Sequence, residues 1–166
     1  MSLDVQALRE SFELVVDRSP ELTHRFYEIF FERYPQAKKL FGRRSAALQE
    51  QMLTRALVAV IDHLEDAPWL VSTLRALGAK HVCYGVTDEM YGWVGESLLA
   101  TLSEVAAEAW TPRIEKAWTD AYGAISGLML EGARLARESD TVDTERSAPP
   151  RSSKPERAPL SAPATG

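Results

Sequence analysis

Cysteine is nearly missing from these 166 residues; Cys83 stands alone. A disulfide-stapled scaffold is therefore excluded, and so is a zinc site built on cysteines. Histidine is scarce as well, with only His24, His63 and His81. No HExxH motif occurs and no two histidines share a helical spacing, so a zinc hydrolase or a di-iron carboxylate centre lacks its ligand set. No apolar run approaches the ~18–20 residues that a bilayer-spanning helix needs. Residues 1–13 carry no apolar core of the kind that opens a secretory signal. A soluble chain in the cytoplasm, with Cys83 reduced and no membrane insertion, is the expectation. Basic residues (19) are outnumbered by acidic ones (24), giving a net charge of −5. Such a balance offers no general attraction for nucleic acid or anionic lipid.

What is present suits a globular core. Hydrophobic residues make up 45% of the chain and include four tryptophans. The length predicts one domain. Prolines divide it unevenly: Pro20, Pro35, Pro68 and Pro112 are single, whereas Pro149, Pro150, Pro155, Pro159 and Pro163 crowd the end. From Glu138 onward there is no aromatic residue, and Val142 and Leu160 are the only large aliphatics. Such a stretch buries too little apolar surface to offset the entropy of ordering it. The expectation is a domain over 1–137 and a disordered Pro/Ser-rich tail over 138–166.

The domain reads as all-α. It lacks sustained apolar/polar alternation and any Asn-Gly or Asp-Gly hairpin signal. Four X-Pro steps place proline where a first helical turn tolerates it, and Ser19, Thr87 and Thr111 are candidate caps. Apolar stripes follow at a 3.6-residue period: Leu22/Phe26/Ile29/Phe30, Leu53/Leu57/Val60/Ile61/Leu64, Val94/Leu98/Leu102/Val105, and Ile114/Trp118/Ala121/Ile125/Leu128. They predict helices over 4–17, 20–34, 36–41, 46–65, 68–81, 88–108 and 112–136. Seven helices of uneven length do not suit a four-helix bundle and favour a non-bundle α fold.

The histidines differ in setting. His81 continues the stripe of Leu70, Leu74 and Leu77, so it faces the interior. It is either a buried, hydrogen-bonded side chain or a metal ligand. His24 lies off its helix's main stripe. His63 sits at a polar helix end, where a positive imidazole suits the helix dipole. One histidine on an apolar face, with no cluster around it, fits haem better than a bare ion.

Particular motifs carry a resemblance. Leu77-Gly-Ala-Lys-His-Val-Cys-Tyr-Gly-Val86, Tyr91-Gly-Trp-Val-Gly-Glu-Ser-Leu-Leu99, Ala109-Trp-Thr-Pro112 and Ala117-Trp-x-x-Ala-Tyr-Gly123 occur in order. Upstream stand Leu22-Thr-x-x-Phe-Tyr27 and Pro35-x-x-x-x-Leu-Phe41. Together these resemble bacterial single-domain globins and the globin domain of flavohaemoglobins over about residues 3–136. The resemblance implies a globin fold of about seven helices around haem b. It implies His81 as the iron ligand, Phe41 against the porphyrin, and Tyr27 and Gln49 as distal polar residues with Leu53 beside them. Gln51 is the alternative to Gln49, because the connection from Phe41 is about two residues short. Tyr91 matches a tyrosine that restrains the proximal histidine, Val94 lies in the same matched segment, and Lys80 is placed to meet a propionate. A glutamate of the last helix that helps restrain that histidine in relatives is absent; Ala133 stands there, and Glu131 lies on another side of the helix.

The implied ligands are O2, NO and CO. O2 on ferrous haem carries partial negative charge, so a phenolic O–H and an amide N–H beside it stabilise it. The implied activity is NO dioxygenation. The sequence has no G-x-G-x-x-G and no length for flavin and nicotinamide domains, so the electrons would come from an external reductase. The other reading is an oxygen carrier, store or sensor without turnover, as monomer or homodimer.

Overall fold

The computed structural model describes residues 2–42 and 44–147, and no strand occurs among them. Six α-helices form: α1 Val5–Arg18, α2 Leu22–Arg33, α3 Ala46–Asp62, α4 Ala67–Cys83, α5 Asp88–Ala106 and α6 Pro112–Ser147. A 3-10 helix, Pro35–Phe41, joins α2 to α3, and a shorter one, Ala107–Ala109, precedes α6. Side chains cap several starts. Asp4 accepts from the Ala7 amide at 3.1 Å, Ser45 from Leu48 at 3.2 Å, Asp66 from Trp69 at 3.2 Å and Thr111 from Ile114 at 3.3 Å. Each satisfies an amide that the helix itself leaves without a partner. Ser19 does not cap α2 as expected. It ends α1 instead, its amide donating to Val15 at 2.9 Å, and α2 begins at Leu22 with no side-chain cap.

α1 lies across α5 and α6, α2 packs on α5, and α4 runs along α6. Leu8, Val15, Phe26, Phe30, Leu102 and Trp118 fill the main core between them. The Trp118 indole N–H donates to Ser11 Oγ at 2.9 Å, which satisfies the buried ring nitrogen.

The α4–α6 crossing depends on two glycines. A Cβ on Gly78 would lie 1.9 Å from the Met129 carbonyl oxygen, and one on Gly132 would lie 2.0 Å from that of Arg75. Backbone cannot yield as a side-chain tip does. Gly78→Ala is therefore expected to cost at least about 1–3 kcal/mol by overpacking. Urea unfolding of the variant measures it, and an unchanged midpoint would contradict this crossing.

The helix expected over 112–136 runs further: residues 138–147, expected as disordered, continue α6. Ion pairs hold this segment's root: Arg134–Glu138 at 3.0 Å, and Arg137–Asp88 at 3.0 Å on α5. Few apolar residues keep a segment out of the core. They do not prevent it from extending an existing helix, where no new nucleus is needed. Residues 148–166 of the expected tail lie outside the described residues.

Candidate functional site

α2 carries Tyr27 beside Phe26, which is buried in the core. The Tyr27 ring meets Phe41 edge-on at 5.8 Å and stacks near Phe31 at 5.7 Å; Phe31 and Phe41 are 5.5 Å apart. This cluster fixes the ring and leaves the residue half-buried. Burial, with a smaller contribution from the Glu50 charge, pushes the phenol pKa up to about 12. The group stays an O–H donor at any physiological pH, and no described residue takes its hydrogen bond.

α3 packs on α2, yet none of its residues is fully buried. Its stripe of Leu53, Leu57, Val60 and Ile61 only rests against the core's edge. An apolar helix left in this condition presents a face that a flat hydrophobic group would cover. Gln49 is half-buried and Gln51 exposed. Gln49 points about 40° from Leu53 around the helix and Gln51 about 160°. Of the two glutamines, Gln49 thus shares the face of Leu53.

A clasp missed in the sequence fixes that part of α3. His24 Nδ1 lies 2.7 Å from Glu50 Oε1, and the Thr23 and Thr54 hydroxyls are 3.1 Å apart. Their residue types gave no signal, because the partners are about thirty positions apart. The hydrogen bond from Glu50, then its charge, raises the His24 pKa above its ordinary 6.5, with Glu28 and Glu21 adding to this. A raised folded-state pKa gives stability that is complete below 6.5 and is lost as pH rises through the raised value. The excess thermal stability of the protein over His24→Gln should accordingly decline as pH is raised from acid to alkaline. A pH-independent excess in thermal melts would contradict the pairing.

α4 carries His81 next to the second apolar cluster of Leu74, Tyr91 and Met129. His81 is half-buried. Its Nδ1 is 2.7 Å from the Leu77 carbonyl oxygen. A carbonyl only accepts, so Nδ1 carries the proton and Nε2 presents its lone pair. This carbonyl was not anticipated from the sequence as the ring's acceptor. Neither other histidine is comparable: His24 serves the clasp, and His63 caps α3 with Nδ1 2.8 Å from Ala59 O and its ring stacked on Trp69 at 3.7 Å.

The Tyr91 ring is 6.3 Å from that of His81. Its hydroxyl is buried without a partner among the described residues. Ala133, 1% exposed, offers no acceptor, and Glu131 turns instead to Arg75 at 2.7 Å. Burial, with the Asp88 charge, raises the Tyr91 pKa, so this phenol also stays protonated. Val94 packs against the main core, and Lys80 is exposed. The structure thus brings Tyr27 to Phe41 and His81 to Tyr91. No hydrogen bond joins Tyr27 to Gln49 among the described residues.

An imidazole with a free Nε2, a helix with its apolar face uncovered, and a half-buried phenol describe an all-α protein equipped to hold haem. Comparison agrees: the globin family model matches residues 24–129, and the chain belongs to the globin family. Haem is accordingly its cofactor. A flavohemoprotein of Rhodopirellula baltica is 32% identical over 133 residues, covering 78% of this chain and 33% of that protein. The chain thus spans about a third of the length of the curated relatives it matches. A bacterial globin of Campylobacter jejuni superposes with a TM-score of 0.69 at 24% identity, over 81% of this chain and 96% of that one. A flavohemoglobin of Malassezia yamatoensis, solved with FAD and haem bound, superposes with a TM-score of 0.60 at 21% identity, over 79% of this chain and 36% of that one.

Proposed function

We propose that this globin binds O2 reversibly and consumes NO with it, using electrons from a separate donor protein. The overall change is NO + O2 + one electron → nitrate. Haem, when bound, supplies the iron at which O2 binds and is reduced. His81 holds the iron through Nε2, its tautomer and ring orientation fixed by the Leu77 carbonyl. Phe41 and Leu53 exclude water from the group's faces. Tyr27 supplies an O–H to the partially negative ligand, and Gln49 an amide N–H. Lys80 would meet a propionate, and Tyr91 and Val94 would contribute to the pocket on the side of His81. The observation that carries this reading is the Tyr27 hydroxyl, half-buried against Phe41, held protonated, and without a hydrogen-bond partner among the described residues. The relationship to flavohemoproteins supports the NO chemistry.

NO consumption by the haem-loaded protein, supplied with NADH and a flavin reductase, tests the proposal. Loss of NO no faster than with reductase alone would leave the second reading, a carrier, store or sensor. The proximal side favours that alternative, because the His81 N–H meets a neutral carbonyl and no carboxylate. A neutral acceptor makes a less electron-rich ligand. The iron–histidine stretch in resonance Raman is expected below that of globins with a glutamate at the Ala133 position. A stretch as high as theirs would contradict this.

A further inference from the structure

Ion pairing on this surface is uneven. Arg33, Lys38, Lys39, Arg44, Arg55 and Lys80 are exposed and have no carboxylate partner among the described residues. Every other described arginine or lysine, Arg146 excepted, has a carboxylate oxygen within 3.3 Å. From Arg33 to Gln49 the sequence holds five basic residues and no acidic one, on a chain of net charge −5.

Three of these cations, Lys38, Arg44 and Lys80, lie at one corner, and Lys39 follows Lys38 in the chain. The Arg44 guanidinium lies 5.2 Å from the centre of the Tyr84 ring, with Nη1 3.6 Å from Met52 Sδ. Lys80 is one helical turn before Tyr84 on the same side of the chain's path. A Cβ on Gly85 would meet Leu40 at 3.7 Å, so the connection before α3 abuts the end of α4. Lys38 lies 5.8 Å over the ring of Phe31, which packs on Phe41. Within this corner Tyr84 is 45%, Leu48 44% and Met52 42% exposed. An apolar centre ringed by charge of one sign has the layout of a protein interface. Haem has two propionates, too few to neutralise Lys38, Lys39, Arg44 and Lys80 together.

We propose that this basic corner, beside Phe41 and His81, is the docking surface for an acidic flavin-carrying electron donor. The inference rests on the haem reading above. At each encounter the reduced flavin loses one electron and the ferric iron gains it. Cations not held in ion pairs steer such a partner over distances set by the ionic strength.

The test is anaerobic stopped-flow reduction of the ferric holoprotein by reduced flavodoxin, an acidic flavoprotein, with neutral reduced riboflavin as control. The flavodoxin rate is expected to fall steeply with added salt. Lys38→Glu with Lys39→Glu should lower it about tenfold or more at low salt and flatten the salt dependence. Arg146→Glu should leave it unchanged, and riboflavin should reduce all three proteins alike. Calorimetric binding of oxidised flavodoxin should weaken in the same double variant. An intact Soret band with a salt-independent flavodoxin rate, or a rate untouched by the double substitution, would overturn this inference alone. Binding to phosphatidylserine vesicles but not to flavodoxin would overturn it too. No Soret band after haem addition would sink the haem reading and this inference together.

Discussion

Tyr27→Phe is expected to speed O2 dissociation from the ferrous protein by roughly tenfold to a hundredfold. A hydrogen bond to a charged acceptor contributes about 1.5–3 kcal/mol, and about 1.4 kcal/mol is a factor of ten. The phenylalanine ring keeps the edge contact with Phe41 and the stacking near Phe31, so the cluster's packing survives. Only the O–H is lost. CO, which carries little charge when bound, should dissociate at nearly the wild-type rate. This contrast separates a lost hydrogen bond from a loosened pocket, in which both ligands would leave faster. Gln49→Leu should act in the same direction, and Gln51→Leu should have no effect, because Gln51 is exposed on another face of α3. Equal effects of the two glutamine substitutions would contradict the assignment of the distal face.

His81→Gly has the other large effect. It removes the side chain that presents Nε2, and His24 and His63 are both engaged elsewhere. The five-coordinate histidine signature of the ferrous protein should vanish completely. Exogenous imidazole should restore it, since the half-buried site vacated by the ring is shaped for that molecule. His81 lies in the last turn of α4, one residue before Val82, and the helix's buried anchors are Leu74 and Gly78. The substitution should therefore leave α-helical circular dichroism close to wild type. Far-ultraviolet spectra alongside the imidazole titration check both statements. Retention of a histidine-ligated spectrum by the glycine variant would contradict the role given to His81.

Much of this was legible in the sequence, for identifiable reasons. The stripes through Phe26, Leu53, Leu74, Leu102 and Trp118 each recur at the helical period, so the helices and the inward direction of His81 follow from spacing alone. Face arithmetic also favours Gln49 over Gln51 once Leu53 is the anchor. What failed was local and polar. Ser19 looks like a cap for α2 but closes α1, because a hydroxyl beside a helix boundary says nothing about which helix claims its amide. The continuation of α6 through residues 138–147 was hidden because composition reports on burial, whereas a helix already nucleated needs only the absence of a breaker. The His24–Glu50 clasp and the Arg44–Tyr84 contact join residues distant in the chain, and no local pattern marks such pairs.

The central claim is that this helical frame holds haem through the Nε2 of His81. Resonance Raman spectroscopy of the unsubstituted protein, loaded with haem and reduced under argon, tests it most directly. An iron–histidine stretch, lost in His81→Gly and regained with imidazole, is the predicted result. A reduced spectrum without that band, or one showing two axial histidines, would contradict the account.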